Sequence, residues 1–367
     1  MSVVVLSFLI ICVTSYAIHL AACSFDDAAD YLGRNLPPGV KGATLNAIAS
    51  SLPEVFTTFF LLFYLGDTVG FASGLATCAG SAMFNMTIIP GVCILVTANA
   101  VRRAGTEITL NKKLLLRDVL FFVAAESILL YIVGLNEIGA LLSGLLVLGY
   151  SFYAFALIRQ VKSHENMPEG DRKNEADEEL EQSPGRLRAL LSLDTRNLLF
   201  PERSWTQATA IFVLLMATVY LGIACDFLAT AVVDLAIHFD ISPFFTAVIL
   251  AAAGTSIPDM LLSMRDAQKG QYEDALSNAF GSNIFNIFVA LGLPLLSFSL
   301  VYGPLELTAG EEMTRVRNLC ISLIVVSIAT AFILAVPKSL KKRHGIALLV
   351  LYSTWAITTV LPLAMDS

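Results

Sequence analysis

The sequence predicts an all-α polytopic membrane protein, ten transmembrane helices arranged as two inverted five-helix repeats. Three observations carry that expectation. The 367 residues are 56% hydrophobic and 14% charged, with mean hydropathy +0.73, and the apolar residues fall in blocks of the ~20 residues that cross hydrocarbon. Basic residues are divided very unequally between alternate loops. A Pro next to an acid inside an apolar block occurs once in each half, at Pro53–Glu54 and Pro258–Asp259.

The apolar blocks are 2–22, 40–65, 69–98, 115–134, 138–158, 205–225, 240–264, 274–301, 318–337 and 345–363. The first is read as a spanning helix rather than a cleaved leader, because no small-residue cleavage motif follows it. One polar interruption, 159–203, separates two groups of five. This gives a first repeat over 1–158, a loop, and a second repeat over 204–367. The loops after helices one, three, five, seven and nine hold 21 of the 23 Lys and Arg; the opposite face has only Arg315 and Arg317. By the positive-inside rule the central loop is cytoplasmic and both termini lie across the membrane. The first group therefore starts outside and the second inside.

The two groups also match in sequence. "ATLNAIASSLPEVFTTF" parallels "AVILAAAGTSIPDMLLSM", and "AGSAMFNMTIIPGVCIL" parallels "FGSNIFNIFVALGLPLL". The repeated motifs fall within 43–97 and 247–298. Inverted repeats with interrupted helices are the layout of secondary transporters, with the binding site near the midplane.

Glu54 and Asp259 are the costly residues. A carboxylate at mid-membrane costs at least a few kcal/mol, so such acids mark ion paths unless paired, and neither motif helix core has a Lys or Arg to pair with. Pro53 and Pro258 lack an amide hydrogen and free the carbonyls four residues back, near Ala49 and Gly254. Hard cations take carboxylate, carbonyl and hydroxyl oxygens. A Ser-x-Pro-acid turn offers all three. A simple proline kink is the plainer reading, weakened by the recurrence beside an acid in both repeats. Ser81 and Asn85 lie four apart, as do Ser282 and Asn286, so each pair shares a helix face; Gly80 and Gly281 allow a helix break or close approach. Small-residue packing is the alternative there.

These motifs resemble the alpha-1 and alpha-2 repeats of the cation/calcium exchanger superfamily, in its sodium/calcium exchanger branch. "AAGTSIPD" and "GSNIF" are close to the alpha-2 text, and "GSAMFN" fits alpha-1. "VKGATLNAIASSLPE" fits with Ala49 where Gly is common. The resemblance implies that Glu54 and Asp259 coordinate Ca²⁺ and share the Na⁺ sites. It implies that the backbone of Ala47 and Ala252, with Ser50, Ser51, Thr255 and Ser256, completes the Na⁺ sites. Ser81 and Ser282 would be further Na⁺ ligands, and Asn85 and Asn286 would flank the centre. Helices one and six would be the moving gate. In the potassium-dependent branch the position of Asn286 is Asp. Two carboxylates balance one Ca²⁺ or two Na⁺, so the resemblance implies exchange without K⁺. No cofactor is expected, only the transported ions. The 45-residue loop is too short for the regulatory β-sandwich domains of the family's large members.

Alternatives stay open. A potassium-dependent exchanger keeps all but the Asn286 inference. A Ca²⁺/H⁺ exchanger would protonate the acids, with Glu126 as a candidate relay. A membrane scaffold or sensor would signal through the acidic run 175–181, which lacks EF-hand spacing and also reads as a solvated tether. "RLRALLSL" in the same loop is read as an amphipathic piece lying on the membrane surface. Glu126, alone in "FFVAAESILL", is either a proton or accessory cation site or a protonated acid in a hydrogen bond; the matching region of helix nine has no acid. Asp67 reads as a helix start. Asp226, Asp234, His238 and Asp240, near the outer ends of helices six and seven, read either as a cation-attracting vestibule or as ordinary interfacial residues, and His19 as packing. The six cysteines lie in or beside apolar segments and read as small buried hydrophobes. The formal charge of −7 argues against nucleic acid as a partner. No nucleophile, hydrolase metal motif or nucleotide loop points to an enzyme. The partners expected are Ca²⁺, Na⁺ and the bilayer of a plasma or organellar membrane.

Overall fold

The computed structural model describes residues 3–33, 47–104, 107–163, 205–270, 272–308 and 310–360. Ten helical rods run through these residues. They are α1 (Val3–Leu32), α2 (Ala47–Leu65), α3 (Asp67–Met83, continued through a π-helical turn, Phe84–Ile88, into Ile89–Ala104), α4 (Lys112–Val133) and α5 (Ala140–Ser163). The second half has α6 (Gln207–Phe239), α7 (Pro243–Thr246, a π turn at Ala247–Ala251, Ala252–Thr255 and Ile257–Gln268), α8 (Tyr272–Phe285, a π turn at Asn286–Ala290, Gly292–Tyr302), α9 (Glu311–Ala335) and α10 (Lys342–Trp355 with a π turn, Ala356–Val360). Five are long and apolar enough by themselves to cross a membrane: Val3–Ala29, Asp67–Ala98, Gln207–Phe239, Asn278–Tyr302 and Glu311–Ala335; the two parts of α7, meeting at 42°, make a sixth. Ser50–Leu65 and Ala140–Phe155 are shorter apolar helices.

The packing repeats with a shift of five helices. α2 lies on α3 as α7 lies on α8, while α1 pairs with α6 and α4 with α9, each helix against its own counterpart in the other repeat. The second half of α3 packs on α10 as that of α8 packs on α5; the first half of α3 packs on α9 as that of α8 packs on α4. The loops show that the repeat is inverted. Ile108 and Leu340 form an antiparallel bridge that joins the α3–α4 and α9–α10 loops. Two short strands, β1 (Glu137–Ile138) and β2 (Leu305–Glu306), pair antiparallel and join the α4–α5 and α8–α9 loops. α4 runs from the first junction to the second, about 33 Å for its 22 residues, so the junctions sit at opposite ends of the bundle. A shift of five helices turns one junction into the other. The operation that relates the repeats therefore exchanges the two ends.

Large apolar side chains such as Leu141, Phe152, Ile237 and Leu300 point outward, as a bilayer requires and water would not favour. The interior carries an unusual load of small and polar residues.

Several expectations are corrected. α1 and α6 run well past residues 22 and 225, because the acids at Asp26, Asp27, Asp226 and Asp234 interrupt the apolar text without interrupting the helix. α6 ends at Asp240, its left-handed C-cap with φ 54°. Gly80 and Gly281 do not break their helices; both lie inside uninterrupted α-helix. The irregular turns come a few residues later, ahead of Pro90 and Pro294, whose missing amide hydrogens loosen the ladder. Pro53 lies within the continuous helix Ala47–Leu65, so the break expected there is absent from the described residues; at Pro258 it is present. The acidic run 175–181 and the stretch 186–193 lie outside the described residues.

Candidate functional site

Four segments meet at the middle of the bundle: α2 around Ser50–Glu54, α7 around its break, and α3 and α8 just before their π turns. Local sequence accounts for the break in α7. Pro258 takes one of the first two positions of Ile257–Gln268, where its missing N–H is harmless, and Ser256 (φ −84°, ψ −2°) joins the two pieces. Ser256 N still donates to Ala252 O at 3.1 Å and Met260 N to Ser256 O at 3.1 Å, so the chain bends without unravelling. Gly80 allows the close approach of α3. A Cβ there would lie 2.1 Å from Val248 O and 2.7 Å from Ala252 Cβ. The equivalent Gly281 has only Tyr153 Oη, at 3.9 Å. Gly254 seats α1 in the same way, with Ser15 Oγ 2.7 Å from where its Cβ would be.

Glu54 and Asp259 are both fully buried, as are Ser50, Ser51, Thr255, Ser256, Ser81, Ser282, Asn85 and Asn286. Ser81 Oγ donates to Glu54 Oε1 at 2.9 Å, and its repeat counterpart Ser282 Oγ donates to Asp259 Oδ1 at 3.2 Å. The repeats also cross over. Ser256 Oγ donates to Ser81 Oγ at 2.8 Å, and Ser50 and Ser282 hydroxyls are 3.3 Å apart. Asn85 Nδ2 donates to Asp259 Oδ2 at 2.8 Å. Seven of the predicted residues are thus tied together by these bonds, Asn286 joins them through Ser81, and Ser51 and Thr255 are buried on the same segments. The carbonyl of Ala252 accepts from Thr255 Oγ1 at 3.2 Å as well as from Ser256 N, so in this arrangement it is engaged in the chain's own hydrogen bonds. Ala47 enters α2 as its first residue.

The two-fold resemblance fails at one point. By symmetry Asn286 would donate to Glu54, as Asn85 does to Asp259. Instead Asn286 Nδ2 donates to Ser81 Oγ at 3.3 Å. Among the described residues, four buried oxygens of these segments have no hydrogen-bond donor: Glu54 Oε2, Ser51 Oγ, Asn85 Oδ1 and Asn286 Oδ1. Unsatisfied buried polar atoms cost about 1–3 kcal/mol each, and four in one centre call for a ligand. All are oxygens and two of the side chains around them are carboxylates, which is the donor set of a hard cation. No group of three or more His, Cys, Asp or Glu assembles among the described residues; the negative charge of the centre is that of Glu54 and Asp259 alone.

Sequence reasoning missed a second layer. Thr57 Oγ1 and Ser73 Oγ are buried without partners, on α2 and α3 to one side of the centre. Thr58 Oγ1 donates to Gly74 O at 3.5 Å, and its counterpart Ser263 Oγ donates to Ala275 O at 3.0 Å. Asn283 Nδ2 ties α8 to Ala82 O at 3.2 Å. The signal was present in the aligned Thr58 and Ser263 of the two repeats. Glu126 lies outside the centre, buried between α4 and α9.

Comparison with known proteins agrees with the fold and the motifs. The family model described as sodium/calcium exchanger protein matches residues 6–159 and 209–361. The chain is 36% identical over 92 residues to the sodium/potassium/calcium exchanger Nckx30C of Drosophila melanogaster, a match covering 25% of this chain and 10% of that relative. It is 28% identical over 265 residues to the inner membrane protein YrbG of Escherichia coli (strain K12), covering 71% of this chain and 70% of that one. Among solved structures, an H⁺/Ca²⁺ exchanger CAX superposes with TM-score 0.70 at 13% identity, covering 98% of this chain and 85% of the other. The sodium-calcium exchanger NCX_Mj without Na⁺ or Ca²⁺ gives TM-score 0.56 at 18% identity, covering 97% and 98%. Both structural likenesses speak to the fold. With both repeats matched across most of the chain, the protein belongs to the sodium/calcium exchanger family.

Proposed function

We propose that the protein is a secondary antiporter that exchanges Na⁺ for Ca²⁺ by alternating access, without a requirement for K⁺. The observation that carries this reading is the set of four donor-less buried oxygens around two carboxylates. Glu54 and Asp259 would ligate Ca²⁺, and also Na⁺ together with Ser50, Ser51, Thr255, Ser256, Ser81, Ser282 and the backbone of Ala47 and Ala252. Asn85 and Asn286 would offer neutral amide oxygens. Two negative charges balance one Ca²⁺ or two Na⁺, so the two ions compete for one place. An empty site would carry two uncompensated charges across hydrocarbon, at a cost of at least about 2.5 kcal/mol each. That penalty favours exchange over leak. α1 and α6, which pack along each other and contribute none of the proposed ligands, would be the moving pair. The excess of Lys and Arg in the odd-numbered loops supports a cytoplasmic central loop, in a plasma or organellar membrane.

A K⁺-dependent reading draws on the relatives called sodium/potassium/calcium exchangers, such as one from Gallus gallus that is 34% identical over 114 residues. Against it, the position where the potassium-dependent branch has Asp is Asn286 here, leaving no third carboxylate to balance K⁺ beside Ca²⁺. The test is ⁴⁵Ca²⁺ uptake into Na⁺-loaded proteoliposomes with external choline, K⁺ or a pH step. Uptake that needs internal Na⁺ and ignores K⁺ is expected. Uptake that needs K⁺ overturns the subtype. Uptake driven by a pH gradient without Na⁺ replaces Na⁺ with H⁺ as the coupling ion, and no flux under any gradient from folded protein overturns antiport.

A further inference from the structure

We propose that Glu126 is a proton-binding site distinct from the central carboxylates, one that takes up and releases a proton within the α4–α9 seam. Its carboxyl group is fully buried. Oε1 accepts a hydrogen bond from Ser327 Oγ at 2.6 Å, and Oε2 has no partner among the described residues. Thr330, one turn along α9 from Ser327, is also buried with a partnerless hydroxyl.

A metal ion does not suit this place. Hard cations want six or so oxygens, and among the described residues the carboxylate's hydrogen-bond partner is one hydroxyl, that of Ser327. The next atom, Met86 Sδ at 3.5 Å from Ser327 Oγ, is a soft thioether suited to other metals. A proton needs a single oxygen and removes the charge that burial penalises. Among the described residues, the groups that face Glu126 supply no counter-charge. α9 brings Cys320. The middle of α8 and its π turn bring only Ser, Asn and apolar residues, and the π turn of α3 brings Met86. Asp118 lies two turns back on α4, bonded to Arg117 at 2.7 Å, with Tyr153 of α5 on the same side.

Ser327 can report the proton. Its hydroxyl lies 2.6 Å from Glu126 Oε1 and 2.8 Å from Leu323 O. With Glu126 ionised, the single hydroxyl hydrogen goes to the carboxylate. With Glu126 protonated, the acid donates to Ser327 Oγ, and the hydroxyl hydrogen turns to Leu323 O. Atoms and charge balance with one proton drawn from water. Met86, which contacts Ser327, adjoins Asn85, whose amide holds Asp259. The seam is thereby joined to the π turn at the central site.

The test is infrared difference spectroscopy of the full-length protein in lipid nanodiscs as pH is raised, in H₂O and ²H₂O. Because it needs no transport, its failure and that of the antiport reading are distinguishable. The expected result is a carboxylic-acid C=O band that bleaches reversibly, is lost in Glu126→Gln, and persists in Glu54→Gln and Asp259→Asn. In Ser327→Ala the band should move to higher frequency, which keeps the test open if Glu126→Gln does not fold. Spectra of wild type and Glu126→Gln that superpose at every pH, or a band unmoved by Ser327→Ala, would overturn the proposal.

Discussion

Gly80→Ala is the sharpest structural test, because its repeat counterpart Gly281→Ala is a built-in control. The two glycines occupy matching positions in matching motifs, yet only Gly80 is pressed against the other repeat. Its added methyl would sit 2.1 Å from Val248 O, in the π turn of α7, and 2.7 Å from Ala252 Cβ. Ordinary contact needs about 3.5 Å, so α3 and α7 would have to part by more than 1 Å. The obstacle is main chain, which cannot swing away as a side-chain tip would. Overpacking of this kind costs about 1–3 kcal/mol, and the upper end applies here. The separation would also pull Ser81 from Ser256 and Glu54, whose bonds are 2.8 and 2.9 Å. Thermal unfolding in detergent and Na⁺-driven Ca²⁺ uptake should therefore both fall in Gly80→Ala. Gly281→Ala, with its nearest neighbour 3.9 Å away, should stay near wild type in stability. Equal tolerance of both substitutions would refute the argument that the repeats meet through Gly80.

Other substitutions separate the parts of the site. Ser81 holds together Glu54, Ser256 and Asn286, whereas Ser282 links Asp259 and Ser50. A hydrogen bond to a charged group is worth about 1.5–3 kcal/mol, so Ser81→Ala should weaken Na⁺ activation of flux about tenfold or more, and Ser282→Ala less; titration of uptake against Na⁺ measures both. Glu54→Gln and Asp259→Asn should each abolish Na⁺-driven Ca²⁺ uptake while the protein elutes as a folded species on size exclusion. The inverted repeat predicts opposite accessibility of the two loop junctions. Glu306→Cys and Lys341→Cys should react with an impermeant thiol reagent from opposite faces of sealed vesicles; labelling from the same face would contradict the topology.

The sequence disclosed the acids and the helices because both are governed by the cost of transfer into hydrocarbon. Glu54 and Asp259 stand out in apolar text, and the helix count follows from block length. Helix ends were less legible: α6 runs to Phe239 through two acids because a helix can leave the membrane without ending. The two prolines read alike, yet only Pro258 coincides with a break, since sequence shows the lost amide hydrogen but not whether neighbours hold the helix straight. Gly80 and Gly281 show the same limit. A glycine can mark a break or a close approach, and only packing decides which. The π turns were hard to read: Pro90 and Pro294 follow two of them, but a proline does not say whether a helix bends, breaks or widens into a π turn. Thr57 and Ser73 were passed over because single hydroxyls in membrane helices usually bond their own backbone, as Thr77 does to Ser73 O at 3.1 Å.

Competition of Na⁺ and Ca²⁺ for one pair of carboxylates can be measured by calorimetric titration of Ca²⁺ into the purified protein at stepped Na⁺ concentrations. Saturable Ca²⁺ binding should weaken steadily as Na⁺ rises and be absent in Glu54→Gln. Binding that is indifferent to Na⁺, or that survives loss of the Glu54 carboxylate, would contradict that competition.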